Sequence, residues 1–208
     1  VNRTKTASST ISRSGRQKTG RVVTAQPFMF ECEFRPMNVY ADTRGLLEDI
    51  DRLDITTVES VDIGSNNANL SWITAYQGTL SSSQLGQITA TTTFGANSID
   101  LDVSAVTGGS PGDFVFKKND YFILDGGYKY PYTVTSDVTL GSGSTVTVTT
   151  HRPIIEQSGY TINTGKGILV GNDVTWQLKM LSKPTYRIMP DRRVEFTGSF
   201  NFIEVIED

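Results

Sequence analysis

A mainly β protein, with one flanking α-helix and a small inserted all-β domain, is the fold class this sequence predicts. Three observations predict it. Apolar and polar residues alternate with a period of two along much of the chain, the mark of strands with one wet and one buried face. Only one stretch, about residues 39–53, repeats at helical spacing. Threonine, serine, glycine and aromatic residues are abundant, and helix-forming runs are scarce.

Taken in order, the first 22 residues carry Arg3, Lys5, Arg13, Arg16, Lys18 and Arg21 and no acid. The whole chain has a net charge of −3, so the remainder must carry −9. A basic arm on an acidic body points to self-association, the arm of one copy on the body of the next. The arm has no aromatic residue for base stacking, which leaves nonspecific phosphate contact as the most it offers nucleic acid. Phe28, Phe30, Cys32 and Phe34 then alternate with Met29, Glu31, Glu33 and Arg35, a half-buried strand ending at Pro36. Cys32 sits at core parity and reads as a buried, inert thiol.

The helix, Val39 to Leu53, places Leu46, Leu47, Ile50 and Leu53 on one face, extended by Tyr40 and Thr43. Arg44, Glu48, Asp49, Asp51 and Arg52 fill the other, with Glu48 and Arg52 a favourable pair at i,i+4. Gly45 interrupts the pattern and suggests close packing on a sheet. The acids at 48, 49, 51 and 54 fit no ion-binding loop and read as a solvated face. Ile55 to Ile63 is a weakly patterned strand, Gly64 to Asn69 a polar loop, and Ser71 to Gln77 a strand with Trp72, Thr74 and Tyr76 on one side.

Composition changes near Leu80. Short strands around Ile99–Val103, Phe114–Phe116, Tyr121–Leu124, Tyr130–Val134 and Thr145–Thr149 are separated by glycine-rich turns. Their spacing predicts a small barrel or sandwich, inserted at 81–160 into a parent domain of 23–80 plus 161–208. The chain closes on its strongest alternation. Val174, Trp176, Leu178 and Met180 share one parity, as do Tyr186 and Ile188. Val194, Phe196, Phe200 and Phe202 follow, each worth roughly 1.5–3 kcal/mol when buried. These runs read as an antiparallel meander that joins the strand at Phe28, with a bulge at Phe202-Ile203 where the parity slips.

Chemistry is sparse. No run of about 18 apolar residues exists, so no membrane span is expected, and the polar, basic start shows no secretory signal. With that, the acceptor triplets at Asn2 and Asn69 carry little weight. A single cysteine excludes an internal disulfide and argues against a cysteine-based metal cage. The single histidine, His151, lies just past a strand end and reads as a surface or loop residue. Gly165-Lys166-Gly167 lacks the hydroxyl residue and following helix of a phosphate-binding loop. No catalytic, metal-binding or cofactor-binding set emerges, and no enzyme is expected. Tyr121, Tyr128, Tyr130 and Tyr132 offer a sugar platform as an alternative, a carbohydrate-binding module, although alternating tyrosines more often pack sheets.

Three pieces of sequence in this order carry a family resemblance. They are Ser14-Gly15-Arg16-Gln17 in the basic lead-in; Gly112-Asp113-Phe114 or Asn119-Asp120-Tyr121 before Tyr130-Pro131-Tyr132-Thr133-Val134-Thr135-Ser136-Asp137-Val138, and His151-Arg152-Pro153-Ile154-Ile155, in the middle; and Val194-Glu195-Phe196-Thr197-Gly198-Ser199-Phe200-Asn201-Phe202-Ile203-Glu204 at the close. The order resembles tail-tube-like baseplate and tail ring proteins of contractile-tailed bacteriophages. The resemblance implies packed β-sheets flanked by a helix, a homo-oligomeric and hexameric ring around a channel, and a place in the virion after assembly in the host cytoplasm. It implies a tube initiator or hub adaptor touching neighbouring tail proteins, with a neck or tail-terminator ring as the close variant. DNA would at most pass nonspecifically through the channel. Arg13, Ser14, Gly15, Arg16, Gln17 and Arg21 would form the inter-subunit arm.

Overall fold

In the computed structural model the described backbone covers residues 2–3, 6–11, 17–22, 26–34, 37–64, 70–162 and 165–206, with side chains described from Gln26 onward. In chain order the strands are β1 (Asn2–Arg3), β2 (Thr6–Ile11), β3 (Gln17–Val22), β4 (Phe28–Cys32), β5 (Met37–Val39), β6 (Val58–Asp62), β7 (Thr89–Thr91), β8 (Ser98–Asp102) and β9 (Phe114–Phe116). They continue as β10 (Tyr121–Leu124), β11 (Tyr132–Thr133), β12 (Val138–Thr139), β13 (Thr145–Thr149), β14 (Lys166–Val170), β15 (Thr175–Ser182), β16 (Thr185–Ile188), β17 (Arg193–Thr197) and β18 (Phe200–Glu204). The helices are α1 (Tyr40–Arg52), α2 (Ser71–Thr74) and α3 (Ser82–Leu85), with a 3-10 turn at Gly171–Asp173. The protein is mainly β with α1 as its flanking helix, the class the alternation predicts.

The chain divides into two compact units. One comprises Val1–Arg21, Gln26–Glu59 and Gln177–Ile206; the other comprises Val22–Ala25, Ser60–Trp176 and Glu207–Asp208. The central unit is wider than the 81–160 span read from composition. Side-chain anchors explain the extra residues. The Tyr76 hydroxyl donates to the Val115 carbonyl at 2.6 Å, and the Thr74 hydroxyl donates to Asn172 Oδ1 at 2.7 Å.

In the discontinuous unit, one sheet has the order β1-β4-β18-β15-β6 and a second the order β16-β17-β5. α1 begins where the Tyr40 N–H donates to the Arg192 carbonyl and the Thr43 hydroxyl donates back to Val39. Near the C-terminus Lys183 Nζ donates to the Ile50 carbonyl at 3.0 Å, adding to the longer bond that this carbonyl accepts from the Leu53 N–H at 3.4 Å. Leu47 and Ile50 pack with Met180, Val194, Phe196 and Phe200 in the core of this unit. Phe34 joins them, its ring 4.6 Å from Phe196 and 5.3 Å from Phe200.

Several expectations are corrected here. The closing strands are not one meander: β17 pairs with β16 and β5, whereas β18 pairs with β15 and β4. The turn at Gly198, with φ of +84°, carries the chain from one sheet to the other. Alternation fixes a strand's buried face but not its neighbour, so both arrangements leave the same pattern. The irregularity expected at Phe202-Ile203 lies in the partner strand, where the register shifts between Met180 and Ser182. β18 keeps its parity through to a buried Glu204, whose Oε2 accepts the Phe28 N–H at 3.0 Å. Cys32 is exposed, at the end of β4 where burial stops after Phe30. On α1, Leu46 and Leu53 are exposed, and a Cβ on Gly45 would meet open space rather than a sheet. Residues 71–74 form helix α2, not a strand, because Thr74 turns inward to Asn172 while Trp72 points to solvent.

In the central unit a six-stranded antiparallel sheet has the order β11-β10-β14-β7-β8-β13. Its two outer strands meet through a bridge between Val134 and Thr150. The Thr135 N–H donates to the Thr149 carbonyl at 3.0 Å, and the His151 N–H donates to the Thr133 carbonyl at 3.1 Å. These bonds curl the sheet round on itself, as the short strands predicted. Ile99, Leu101, Phe122 and Val148 on its strands are buried, and Phe116 of β9 meets the Phe122 ring at 5.3 Å. The other face of β8 and β13 is wet, with the Thr147 hydroxyl on Asp100 Oδ1 at 2.7 Å.

Candidate assembly surface

His151, Arg152, Tyr128, Tyr130 and Tyr132 are built into the interior of the central unit. His151 is buried, not a surface residue, and its Nδ1 accepts the Thr133 N–H at 3.1 Å. That bond belongs to the seam where the curled sheet closes. Arg152 is 1% exposed; its guanidinium donates to the Pro131 carbonyl at 2.9 Å and lies 5.3 Å from the centre of the Tyr132 ring. Tyr128, Tyr130 and Tyr132 are buried as well. The Tyr128 and Tyr132 hydroxyls are 2.8 Å apart, Tyr128 donates to the Ile155 carbonyl, and Tyr132 accepts the Ile155 N–H. Burial pushes the Tyr128 phenol far above its ordinary value, which keeps it a neutral donor. Three of the four tyrosines considered as a sugar platform are therefore interior. Tyr121 stands edge-on to Trp176 at 5.6 Å. Among the described residues no group of three or more His, Cys, Asp or Glu is placed to hold a metal ion.

Among the described residues Asp120 is the most buried carboxylate, 1% exposed. Its oxygens accept the Gln77 N–H at 2.9 Å and the Lys117 N–H at 2.7 Å. These bonds fasten the segment after α2 to the turn before β10. Burial raises its proton affinity more than the two N–H groups lower it. A raised folded-state value means that the protonated form favours folding, so Asp120 contributes most stability at low pH and that contribution fades as pH rises. The stability difference between wild type and Asp120→Asn, followed by denaturant melts, is expected to shift against the wild type as pH rises from about 4. A difference independent of pH would contradict the raised affinity.

What remains exposed is surface suited to contact. Among the expected arm residues, Arg13, Ser14, Gly15 and Arg16 lie outside the described residues. Gln17 and Arg21 lie on β3, which forms a two-stranded sheet with β2. β1 adds to the protein's own β4, pairing Asn2 with Met29 and Arg3 with Phe28. In the three-stranded sheet β5 and β16 are edge strands, and Met37, Val39 and Ile188 on them are exposed. Further along, every residue from Asp51 to Ser60 is exposed, including Leu53, Ile55 and Val58. Trp72, in the central unit, is 74% exposed.

Sequence reasoning assigned Leu46 and Leu53 to the core and so missed this exposed apolar run. The signal was present: residues 55–63 fit neither strand nor helix period well, as expected of apolar residues not placed by their own core. Among the described residues no helix is long and apolar enough to cross a membrane. No family model matches the chain, and a search of curated proteins finds no match.

Proposed function

We propose that this chain is a structural component of a phage tail, forming a homo-oligomeric ring at the junction of tube and baseplate, as a tube initiator or hub adaptor. The observation that carries the reading is the separation of charge. Six cations and no acid occupy the first 22 residues, against −9 on the rest. Copies of such a chain attract one another head to body, a heterologous contact that closes into a ring when the rotation allows it. The order of motifs, which resembles that of tail-tube-like baseplate proteins, supplies the particular setting. The edge strands β5 and β16 and the exposed apolar residues beside them support it, because such edges pair readily with another chain. The role is architectural and needs no catalytic group.

Sedimentation and negative-stain imaging of the purified full chain test the reading. Closed rings of one size with a central channel are expected. A protein that stays monomeric up to millimolar concentration would refute it.

A further inference from the structure

The exposed flank of α1 is organised in a way that the core does not require. Asp42, Leu46, Asp49 and Leu53 follow at spacings of four, three and four, which brings them onto one side of the helix. This side is distinct from the one formed by Thr43, Leu47 and Ile50, which is buried. The apolar character continues past the helix through Ile55 and Val58, both exposed. The opposite flank is compensated internally: Glu48 pairs with Arg52 at 2.8 Å, and Asp51 accepts the Tyr186 hydroxyl at 2.8 Å. Among the described residues Asp42 and Asp49 have no such partner. Four large apolar side chains set among unpaired carboxylates form a surface suited to a basic segment that carries some apolar residues.

The chain itself contains one. Residues 6–22 hold Arg13, Arg16, Lys18 and Arg21, no acid, and the apolar residues Ile11 and Val22. The two strands within it, β2 and β3, have six residues each and so span about 20 Å. The 13 residues of α1 also span about 20 Å. We infer that the Asp42–Leu46–Asp49–Leu53 flank of α1, with Ile55 and Val58, is the seat on one copy for the basic segment 6–22 of a second copy. This rests on the assembly reading above and names the surface that the arm engages.

The test uses the full chain. Asp42→Lys with Asp49→Lys reverses the seat, and Leu46→Ser with Leu53→Ser removes its apolar part. All four positions are exposed, so circular dichroism and melting temperature are expected to stay near wild type. Each pair is expected to raise the concentration for half-assembly by about tenfold or more. Adding Arg13→Glu, Arg16→Glu, Lys18→Glu and Arg21→Glu to the lysine variant is expected to restore assembly. Carbodiimide cross-linking of mixed isotope-labelled and unlabelled wild type is expected to join Lys18 of one copy to Asp42 or Asp49 of another.

If both variants assemble like wild type, the seat is wrong although the ring reading stands. Cross-links formed only within one copy likewise overturn the seat. A wild type that never assembles removes both.

Discussion

Trp176→Ala is expected to destabilise the protein by about 3–5 kcal/mol, whereas Trp72→Ala is expected to change stability by less than about 0.5 kcal/mol. The two tryptophans sit at opposite extremes, Trp176 at 0% exposure and Trp72 at 74%. Trp176 opens the inward row of β15 and meets Tyr121 edge-on, so truncation removes both its packing volume and a favourable ring contact. Paired urea melts measure the stabilities, and fluorescence gives an independent check. Loss of Trp176 should leave only the red-shifted emission of a solvated indole, and loss of Trp72 only the blue-shifted emission of a buried one. A Trp176→Ala variant within about 1 kcal/mol of wild type would contradict the burial, since truncating a buried tryptophan typically costs about 3–5 kcal/mol.

Trp176 also marks where the sequence was most legible. Val174, Trp176, Leu178 and Met180 are all buried, as their shared parity demands. Val194, Phe196 and Phe200 follow the same rule. Period-two alternation reports which face of a strand is dry, because a one-residue slip would expose the whole row. It does not report which strand lies alongside, and β17 and β18 therefore parted into different sheets unforeseen. The helix was placed within a residue at each end, yet Leu46 and Leu53 were assigned to the core because spacing alone admits them. A surface made for another molecule has the same apolar composition as a face made for the chain's own interior. That ambiguity hid the candidate assembly surface. His151 shows the converse: past a strand end it reads as a surface or loop residue, while its hydrogen bond with Thr133 holds it inside.

Deleting residues 1–22 is expected to yield a folded monomer with no capacity to assemble. Folding is expected to survive because the described core of the discontinuous unit is built of Leu47, Ile50, Met180, Val194, Phe196 and Phe200. The described main-chain loss to that unit's sheet is the pairing of Asn2 and Arg3 with β4. Such hydrogen bonds contribute about 0.5–1.5 kcal/mol each, so a modest fall in melting temperature is expected rather than collapse. Assembly fails for two reasons. The segment proposed to bridge copies is gone, and a chain of net −3 that loses six cations becomes −9, so copies repel instead of attracting. Salt separates these causes. Added salt should weaken wild-type association by screening arm against body, whereas it relieves repulsion in the truncated chain without restoring rings. Sedimentation velocity across a salt series reads both effects together. If the truncated protein sediments at the wild-type assembled mass, copies hold together through the β5 and β16 edges alone, and the arm has no part in joining them.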